Sequence, residues 1–356
     1  MKSESSNRYT IIYPPLVSWH DDIFQRPHQL LREFARQGDQ AIFANINPDG
    51  KGIHWFAEPN LCISNDLMST LCDLKIKSMI RNTKVVFWIN QPERMRFHSL
   101  INPDITVYDY IDEYVEEFAH WQVGFDDCLE RADVIVTTSD RLMEQTQIRY
   151  PNKTVLIRNG ADVNHFSAEG LGIPEDLAHI KEKHQYIVGF HGSLFSWIDY
   201  ALIRDIALLR PEWGIVLVGP EYHWEEICKG VANIHFLGPK LYNNLPSYVK
   251  HFDVEIIPFE VRNMTQSANP IKMYESLAAG VPIVATPIRE CINLSPLIRI
   301  GRNAEEFVGQ IEVALEVKSS EQATYQRVAT ENSWAERVRA IHSVLDKIPT
   351  RTKHTY

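Results

Sequence analysis

The sequence is short of several features that would direct a first reading. No apolar run approaches the roughly 20 residues a membrane-spanning helix needs, and the opening MKSESSNR is polar, unlike a secretory leader. A cytoplasmic location is expected. Cysteine is sparse: Cys62, Cys72, Cys128, Cys228 and Cys291 are scattered, odd in number and never spaced as CxxC, which predicts reduced thiols rather than disulfides or a zinc site. Positive charge is in deficit too. A net charge of -10 argues against non-specific nucleic-acid binding, which relies on counterion release by clustered Lys and Arg. HExxH, G-x-S-x-G and a Walker phosphate loop are missing, so zinc hydrolysis, serine hydrolysis and P-loop nucleotide hydrolysis have no support. No DxD pattern follows a strand, and the adjacent Asp21 and Asp22 fall in the wrong half of the chain for a nucleotide. No essential metal is expected.

What the chain has is an alternation. Short runs rich in Val, Ile and Phe alternate with amphipathic stretches of about 10 to 15 residues, the pattern of βαβ units that build a parallel sheet. Strands are predicted at YTIIY, QAIFAN, KVVFWIN, TVYDY, DVIVTTS and TVLIRNG, with helices such as RPHQLLREFARQG and EYVEEFAHWQVGFDDCLERA between them. A polar stretch broken by Gly and Pro follows, and the series then restarts with YIVGFHG, GIVLVGP, NIHFLG, VEIIPF, VPIVAT and LIRIG. The expected fold class is α/β, with two doubly wound Rossmann-like domains. The N-terminal one spans 1–165, a linker 166–185 and the C-terminal one 186–332, leaving a terminal helix over 333–356 with no predicted docking partner. Ligands of open α/β sheets bind outside the carboxyl ends of the strands, so two such domains imply a cleft between them. The segment DLKIKSMIRNTK carries Lys75, Lys77, Arg81 and Lys84; it reads as a solvated helix face, with contact to anionic lipid as the alternative.

The most informative stretch is NPIKMYESLAAGVPIVAT, residues 269–286. Asn269 is placed to cap a helix, Pro270 suits its first position, and Gly280 with Pro282 ends it. The helix start follows strand VEIIPF, which puts free N–H groups and a positive dipole end at the ligand edge of the sheet. Lys272 and Glu275 share one face. A cation there suits a phosphate, and a carboxylate one turn deeper suits the vicinal diol of a ribose. The competing reading is a surface ion pair worth a few tenths of a kcal/mol.

PIKMYESLAAGVPIVAT resembles the nucleotide-binding signature of GT-B glycosyltransferases, the broad retaining family 4 and its relatives. IRNGADVNHF is similar to that group's interdomain connection, and FHGSLFSWIDYALIRDIALLRPEWGIVLVGP to the first βαβ unit of its nucleotide-binding domain. NIHFLGPKLYNNLPSYVKHFDVEIIPF resembles the stretch that contacts the base. FQRPHQLLREFARQG looks like the first cleft loop and helix of enzymes from bacterial surface-polysaccharide operons, teichuronic-acid-type transferases among them. The resemblance covers nearly the whole chain, more specifically in its C-terminal half. It implies a metal-independent transferase that moves a sugar from a nucleotide diphosphate donor, UDP-linked by expectation, to a hydroxyl of a saccharide or lipid-linked saccharide acceptor. No further cofactor, no nucleic-acid partner and a peripheral contact with the inner face of the membrane go with that reading.

Two departures stand out. Many retaining relatives grip the diphosphate with an Arg and a Lys after the first C-terminal-domain strand; here that stretch is GSLFSWIDYALIR, with no cation near its start. Charge compensation then falls to Lys272, the helix N-terminus and Arg262. Ser267 stands where those relatives have the first of two glutamates, so the stereochemistry, retaining or inverting, is open. A sugar-nucleotide 2-epimerase of the same fold and a non-catalytic sugar-nucleotide-binding subunit are the alternatives.

The remaining candidates lie at strand ends. Gly192 and Ser193 follow the strand of YIVGFHG, where a glycine lets backbone approach a phosphate, and Tyr242, after Lys240 and Leu241, is placed to cover the base. In the N-terminal half Asp112, ending VYDYID, is the candidate base that takes the acceptor proton, with Asp109 as its structural neighbour; a helix cap is the competing reading for Asp112. His20 is the alternative base. Arg26 and His28 flank the start of a helix at Pro27 and are candidate contacts for the acceptor or a phosphate.

Overall fold

The computed structural model describes residues 9–20, 23–221 and 225–349. Asp21 and Asp22, part of the irregular loop read as facing the acceptor, lie outside the described residues. The chain divides into two compact units, Met1–Arg158 with Trp334–Tyr356, and Asn159–Ser333.

The first unit is built on an eight-stranded sheet of order β3-β4-β2-β1-β5-β6-β7-β8. Its strands are β1 (Tyr9–Tyr13), β2 (Gln40–Ala44), β3 (His54–Glu58), β4 (Leu61–Ser64), β5 (Lys84–Ile89), β6 (Ile105–Tyr110), β7 (Val134–Thr137) and β8 (Thr154–Leu156). All pairs are parallel except the β3–β4 hairpin. β1, β2 and β6 are buried at every position, as parallel strands covered on both faces must be, which is why they read as unbroken apolar runs. The hairpin was not expected from the sequence: His54–Glu58 alternates weakly and sits half-exposed at the sheet edge. The long helix expected across EYVEEFAHWQVGFDDCLERA is broken into a 3-10 helix, Glu116–Gln122, and an α-helix, Phe125–Arg131. Gly124 separates them at φ 82°, a left-handed conformation that glycine adopts cheaply.

The second unit carries six parallel strands in the order β11-β10-β9-β12-β13-β14: β9 (Tyr186–His191), β10 (Trp213–Val218), β11 (Ile234–Gly238), β12 (Val254–Ile257), β13 (Ile283–Ala285) and β14 (Ile298–Ile300). Gly189 in β9 has no room for a side chain, since a Cβ there would lie 2.1 Å from the Phe252 ring. The stretch 166–185, expected to be a linker, belongs to this unit. Helix Glu175–Lys181 buries Leu177 and Ile180 in its core, and the first unit ends at Arg158.

In each sheet the chain reverses direction once. β1 leads outward to β2 while β5 leads the other way to β6, and β9 leads to β10 and β11 while β12 leads to β13 and β14. Crevices at such switch points, between the carboxyl ends of β1 and β5 and of β9 and β12, are where doubly wound sheets hold ligands.

The terminal helix, Trp334–Leu345, returns to the first unit. Val338, Ile341 and Leu345 are buried, His342 Nε2 lies 2.5 Å from Asp39 Oδ2, and the Tyr9 hydroxyl donates to Asp346 at 2.6 Å. Ile341→Ala is therefore expected to destabilise the first unit by about 2–5 kcal/mol, the usual cost of emptying a sealed aliphatic site. Urea denaturation of the full chain measures it; an unchanged midpoint would mean that the helix is not part of this core.

Candidate functional site

The second unit's switch crevice is organised by charge. β9 ends at His191 and β12 contains Glu255, a carboxylate with no exposure inside an otherwise apolar strand. A buried charge persists only if paired, and this one is. His191 Nδ1 lies 3.0 Å from Glu255 Oε1, and the His191 backbone N–H donates to the same oxygen at 3.1 Å. On the other side of the ring, Nε2 lies 3.0 Å from Glu275 Oε2. Burial alone would push the imidazole pKa down; Glu255, by charge and then hydrogen bond, together with Glu275, raises it to about 9. At neutral pH the ring is an imidazolium clamped between two carboxylates. Glu275 Oε1 has no hydrogen-bond partner among the described residues.

Glu275 stands one turn into the helix Ile271–Ala278. Asn269 does not cap it. Instead its side-chain oxygen accepts from the Asn159 N–H at 2.8 Å while its amide donates to the Tyr274 hydroxyl at 3.1 Å and to Glu290 at 2.9 Å. Asn269 thereby pins the helix start, and the cap position passes to Pro270, which has no side chain with which to satisfy the first N–H groups. Those groups and the dipole end remain available to an anion.

Lys272 lies beside them. Its Nζ is 5.0 Å from the ring centroids of Phe190 and Phe259, and it has no ion pair among the described residues. Burial lowers its pKa, while Glu255 and Glu275 act the other way. Its side chain presses against Gly192: a Cβ there would come 2.9 Å from Lys272 Cε and 3.0 Å from Nζ, and Gly192 itself has φ 127°. Gly219, after β10, crosses so closely that its own Cβ would meet the Gly192 carbonyl at 1.9 Å. Two glycines thus leave backbone and ammonium open at one point. Ser193, partly exposed, has no hydrogen bond among the described residues.

The other donor candidates are placed as follows. Tyr242 stacks on His165 with centroids 4.5 Å apart, and its carbonyl lies 3.0 Å from His165 Nε2. Lys240 is drawn away to Asp176 at 2.9 Å. Arg262 precedes the short helix Asn263–Ser267 and lies 3.8 Å from Glu260. Ser267 is buried and donates to the Met264 carbonyl at 2.7 Å, so no carboxylate stands at that position.

In the first unit Asp112 follows β6 and has no hydrogen-bond partner among the described residues. Burial, and then the charge of Asp109, raises its pKa to about 6. It is not a helix cap, because the next helical segment starts at Glu116 behind Val115. Arg26 and His28 require correction as acceptor contacts. Arg26 is 2% exposed, with Nε donating to Asp109 Oδ2 at 2.8 Å and Nη1 to the Arg158 carbonyl at 3.2 Å. His28 is fully buried among Trp19, Phe24 and Phe43, with Nδ1 accepting from the Gln25 N–H at 3.1 Å and Nε2 2.9 Å from the Ser18 carbonyl. Arg26 is thus consumed by β6 and the end of the unit, and His28 by the loop that precedes its helix. His20 is exposed, stacked on Trp55 at 5.6 Å and 3.1 Å from Lys51 Nζ.

The His191–Glu255 pair at the crevice was not anticipated from the sequence. The signal was present, since a lone Glu in VEIIPF and a His closing YIVGFH are charges in central strands and need one another. Because the folded pKa of His191 is raised, the stability it contributes is fully present below its ordinary value near 6.5 and is lost as pH rises through about 9. Histidine NMR should show one ring titrating near 9, and Glu255→Gln should bring that titration down. A wild-type ring titrating near 6.5 would contradict the clamp.

Residues 185–316 match the family described as glycosyl transferases group 1. The chain is 25% identical over 239 residues to TuaH of Bacillus subtilis (strain 168), a protein assigned to teichuronic acid biosynthesis as a glycosyltransferase; the match covers 62% of this chain and 59% of that protein. The chain thus spans about three fifths of the length of this curated relative. Three solved structures share the fold. Anabaena HepE, in complex with UDP and glucose, has a TM-score of 0.66 at 15% identity and covers 95% of this chain and 99% of its own. A glycosyltransferase from Rickettsia africae has a TM-score of 0.69 at 16% identity, covering 96% and 99%. Sucrose-phosphate synthase from Thermosynechococcus elongatus has a TM-score of 0.67 at 13% identity, again covering 96% and 99%. Lys272, Glu275 and His191 all fall inside the span of the second unit that is similar to the glycosyl transferases group 1 family, and the chain has the GT-B fold.

Proposed function

We propose that the chain is a glycosyltransferase that moves a sugar from a UDP-linked donor to a hydroxyl of a polysaccharide or lipid-linked saccharide in bacterial cell-surface glycan synthesis. The observation that carries this reading is the unpaired Lys272 ammonium against Gly192, at an uncapped helix start, with a His-clamped carboxylate one turn deeper. Lys272 and the helix N-terminus take the diphosphate, assisted by the Gly192–Ser193 backbone and Arg262; Glu275 Oε1 takes the ribose; Tyr242 covers the base. The HepE structure, which holds UDP, supports the choice of nucleotide.

The chemistry follows from where charge develops. The acceptor oxygen attacks the anomeric carbon, its proton passes to Asp112, and the bond from that carbon to the diphosphate oxygen breaks. Negative charge then grows on the leaving group beside Lys272, and a preorganised cation and helix dipole stabilise it selectively in the transition state. A carboxyl with a pKa of about 6 is ionised at neutral pH yet basic enough to accept a proton. A base in the acceptor-binding first unit, together with serine rather than glutamate at position 267, favours single displacement with inversion.

We place the protein in the cytoplasm with a peripheral contact at the inner membrane face. Among the described residues no helix is long and apolar enough to cross a membrane. Helix Leu74–Arg81 supports the surface contact by presenting Leu74, 83% exposed, beside exposed Lys75, Lys77 and Arg81.

Calorimetry without added metal tests the donor assignment. UDP should bind in preference to GDP and ADP, and Glu275→Ala should weaken it about tenfold or more, roughly 1.4 kcal/mol. Lys272→Ala should lower turnover about 10²–10³-fold, the usual loss when one transition-state charge partner is removed. Failure of all three nucleotides to bind would end this reading. For the base, kcat/KM should fall below about pH 6, and Asp112→Asn should abolish that acid limb along with most activity. Retention of the limb in Asp112→Asn would pass the role to His20.

A further inference from the structure

The first unit's switch crevice, between the carboxyl ends of β1 and β5, holds a guanidinium that is poorly neutralised. β5 ends at Ile89, Asn90 follows, and the 3-10 helix Pro92–Phe97 carries Arg94 and Arg96. The Arg94 side chain is only 12% exposed, and its nearest ion-pair partner, Glu93 Oε2, stands 3.9 Å away on a side chain that is 61% exposed. A contact that long and that wet does little to offset the desolvation of a guanidinium. Arg94 Nε is a buried donor with no hydrogen-bond partner among the described residues.

A second donor lies close by in the chain. Asn90 is 6% exposed; its Oδ1 accepts from the Tyr13 hydroxyl at 2.9 Å and its carbonyl from the Tyr114 hydroxyl at 3.1 Å. Its amide N–H groups donate to none of the described residues. Tyr13 closes β1 and Asn90 follows β5, so this bond spans the mouth of the crevice. Burial, and then the charge of Arg96, lowers the Arg94 pKa, while Glu93 acts the other way.

A scaffold arginine in this unit behaves differently. Arg26, 2% exposed, pairs with Asp109 and donates to the Arg158 carbonyl. Arg94 makes no such backbone bond and sits where a doubly wound sheet receives its ligand. We propose that this crevice binds an oxyanion, a phosphate or a carboxylate carried by the acceptor, through the Arg94 guanidinium and the Asn90 amide. Arg94 supplies planar donors that match either group. Asp112 lies two residues beyond the end of the neighbouring strand β6, so base and anion site share one sheet edge. Identifying the anion with the acceptor rests on the transfer reaction proposed above; the anion site itself does not.

Arginine Nε–H resonances of the full chain test it, with Arg94→Lys identifying the Arg94 signal by removing it. Inorganic phosphate should move that signal saturably in the millimolar range, and UDP should not. By calorimetry in the presence of UDP, Arg94→Lys should weaken phosphate binding at least about tenfold, since lysine keeps the charge but loses the planar fork. A response to acetate as strong as that to phosphate assigns a carboxylate, and a response to phosphate alone assigns a phosphate. The proposal is overturned if neither anion moves the Arg94 signal, or if UDP moves it as strongly as phosphate does. The readout needs neither donor nor turnover, so it stands apart from the outcome for Lys272 and Glu275.

Discussion

A buried imidazolium between two carboxylates governs the second unit. His191 joins the end of β9 to Glu255 on β12 and, on its other nitrogen, to Glu275 on the helix Ile271–Ala278. Sheet and helix are thereby tied at the point where the chain reverses direction. Removing one member would leave an uncompensated buried charge, at a cost of about 3–5 kcal/mol. The same bond fixes which oxygen of Glu275 stays open and holds the helix start, with Lys272, against Gly192. Charge that would merely be costly in a core becomes a means of fixing a carboxylate at the crevice.

The two units apply one architectural rule with different contents. Each is a sheet, parallel but for the β3–β4 hairpin of the first, with a single reversal of strand order, and each reversal leaves a crevice lined by residues that follow strand ends. In the second unit those residues are two close glycines, a lysine and a helix start, which suit a diphosphate. In the first they are Asn90, Arg94 and, one strand over, Asp112, which suit a hydroxyl nucleophile carried beside an anionic group.

Arg26 and His28 illustrate why charged residues near a predicted site mislead. Both stand at a helix start after the first strand, which is where a ligand contact is looked for. Yet Arg26 neutralises the fully buried Asp109, and His28 packs among three aromatic rings. Asp109 would otherwise be a buried, unpaired carboxylate, so the pairing with Arg26 outweighs anything Arg26 could gain at the surface. The consequence is that Asp112 keeps no cation of its own, and its pKa rises.

The amino-acid sequence by itself determined the two α/β domains, because strands buried on both faces are written as unbroken apolar runs. It also determined the identity of the helix with Lys272 and Glu275, because the Pro270 that opens it and the Gly280 that ends it act locally. Only the tertiary structure decided that the stretch 166–185 packs as part of the second unit, that the terminal helix closes the first, and that Asn269 pins the helix instead of capping it. It alone separated Arg26 and His28, which are consumed by internal partners, from Lys272, Asp112 and Arg94, which lack close ones. Whether a charge has a partner depends on residues such as Asp109, 83 positions from Arg26, or Glu255, 64 from His191. Those meetings are set by sheet topology, which no local spacing encodes.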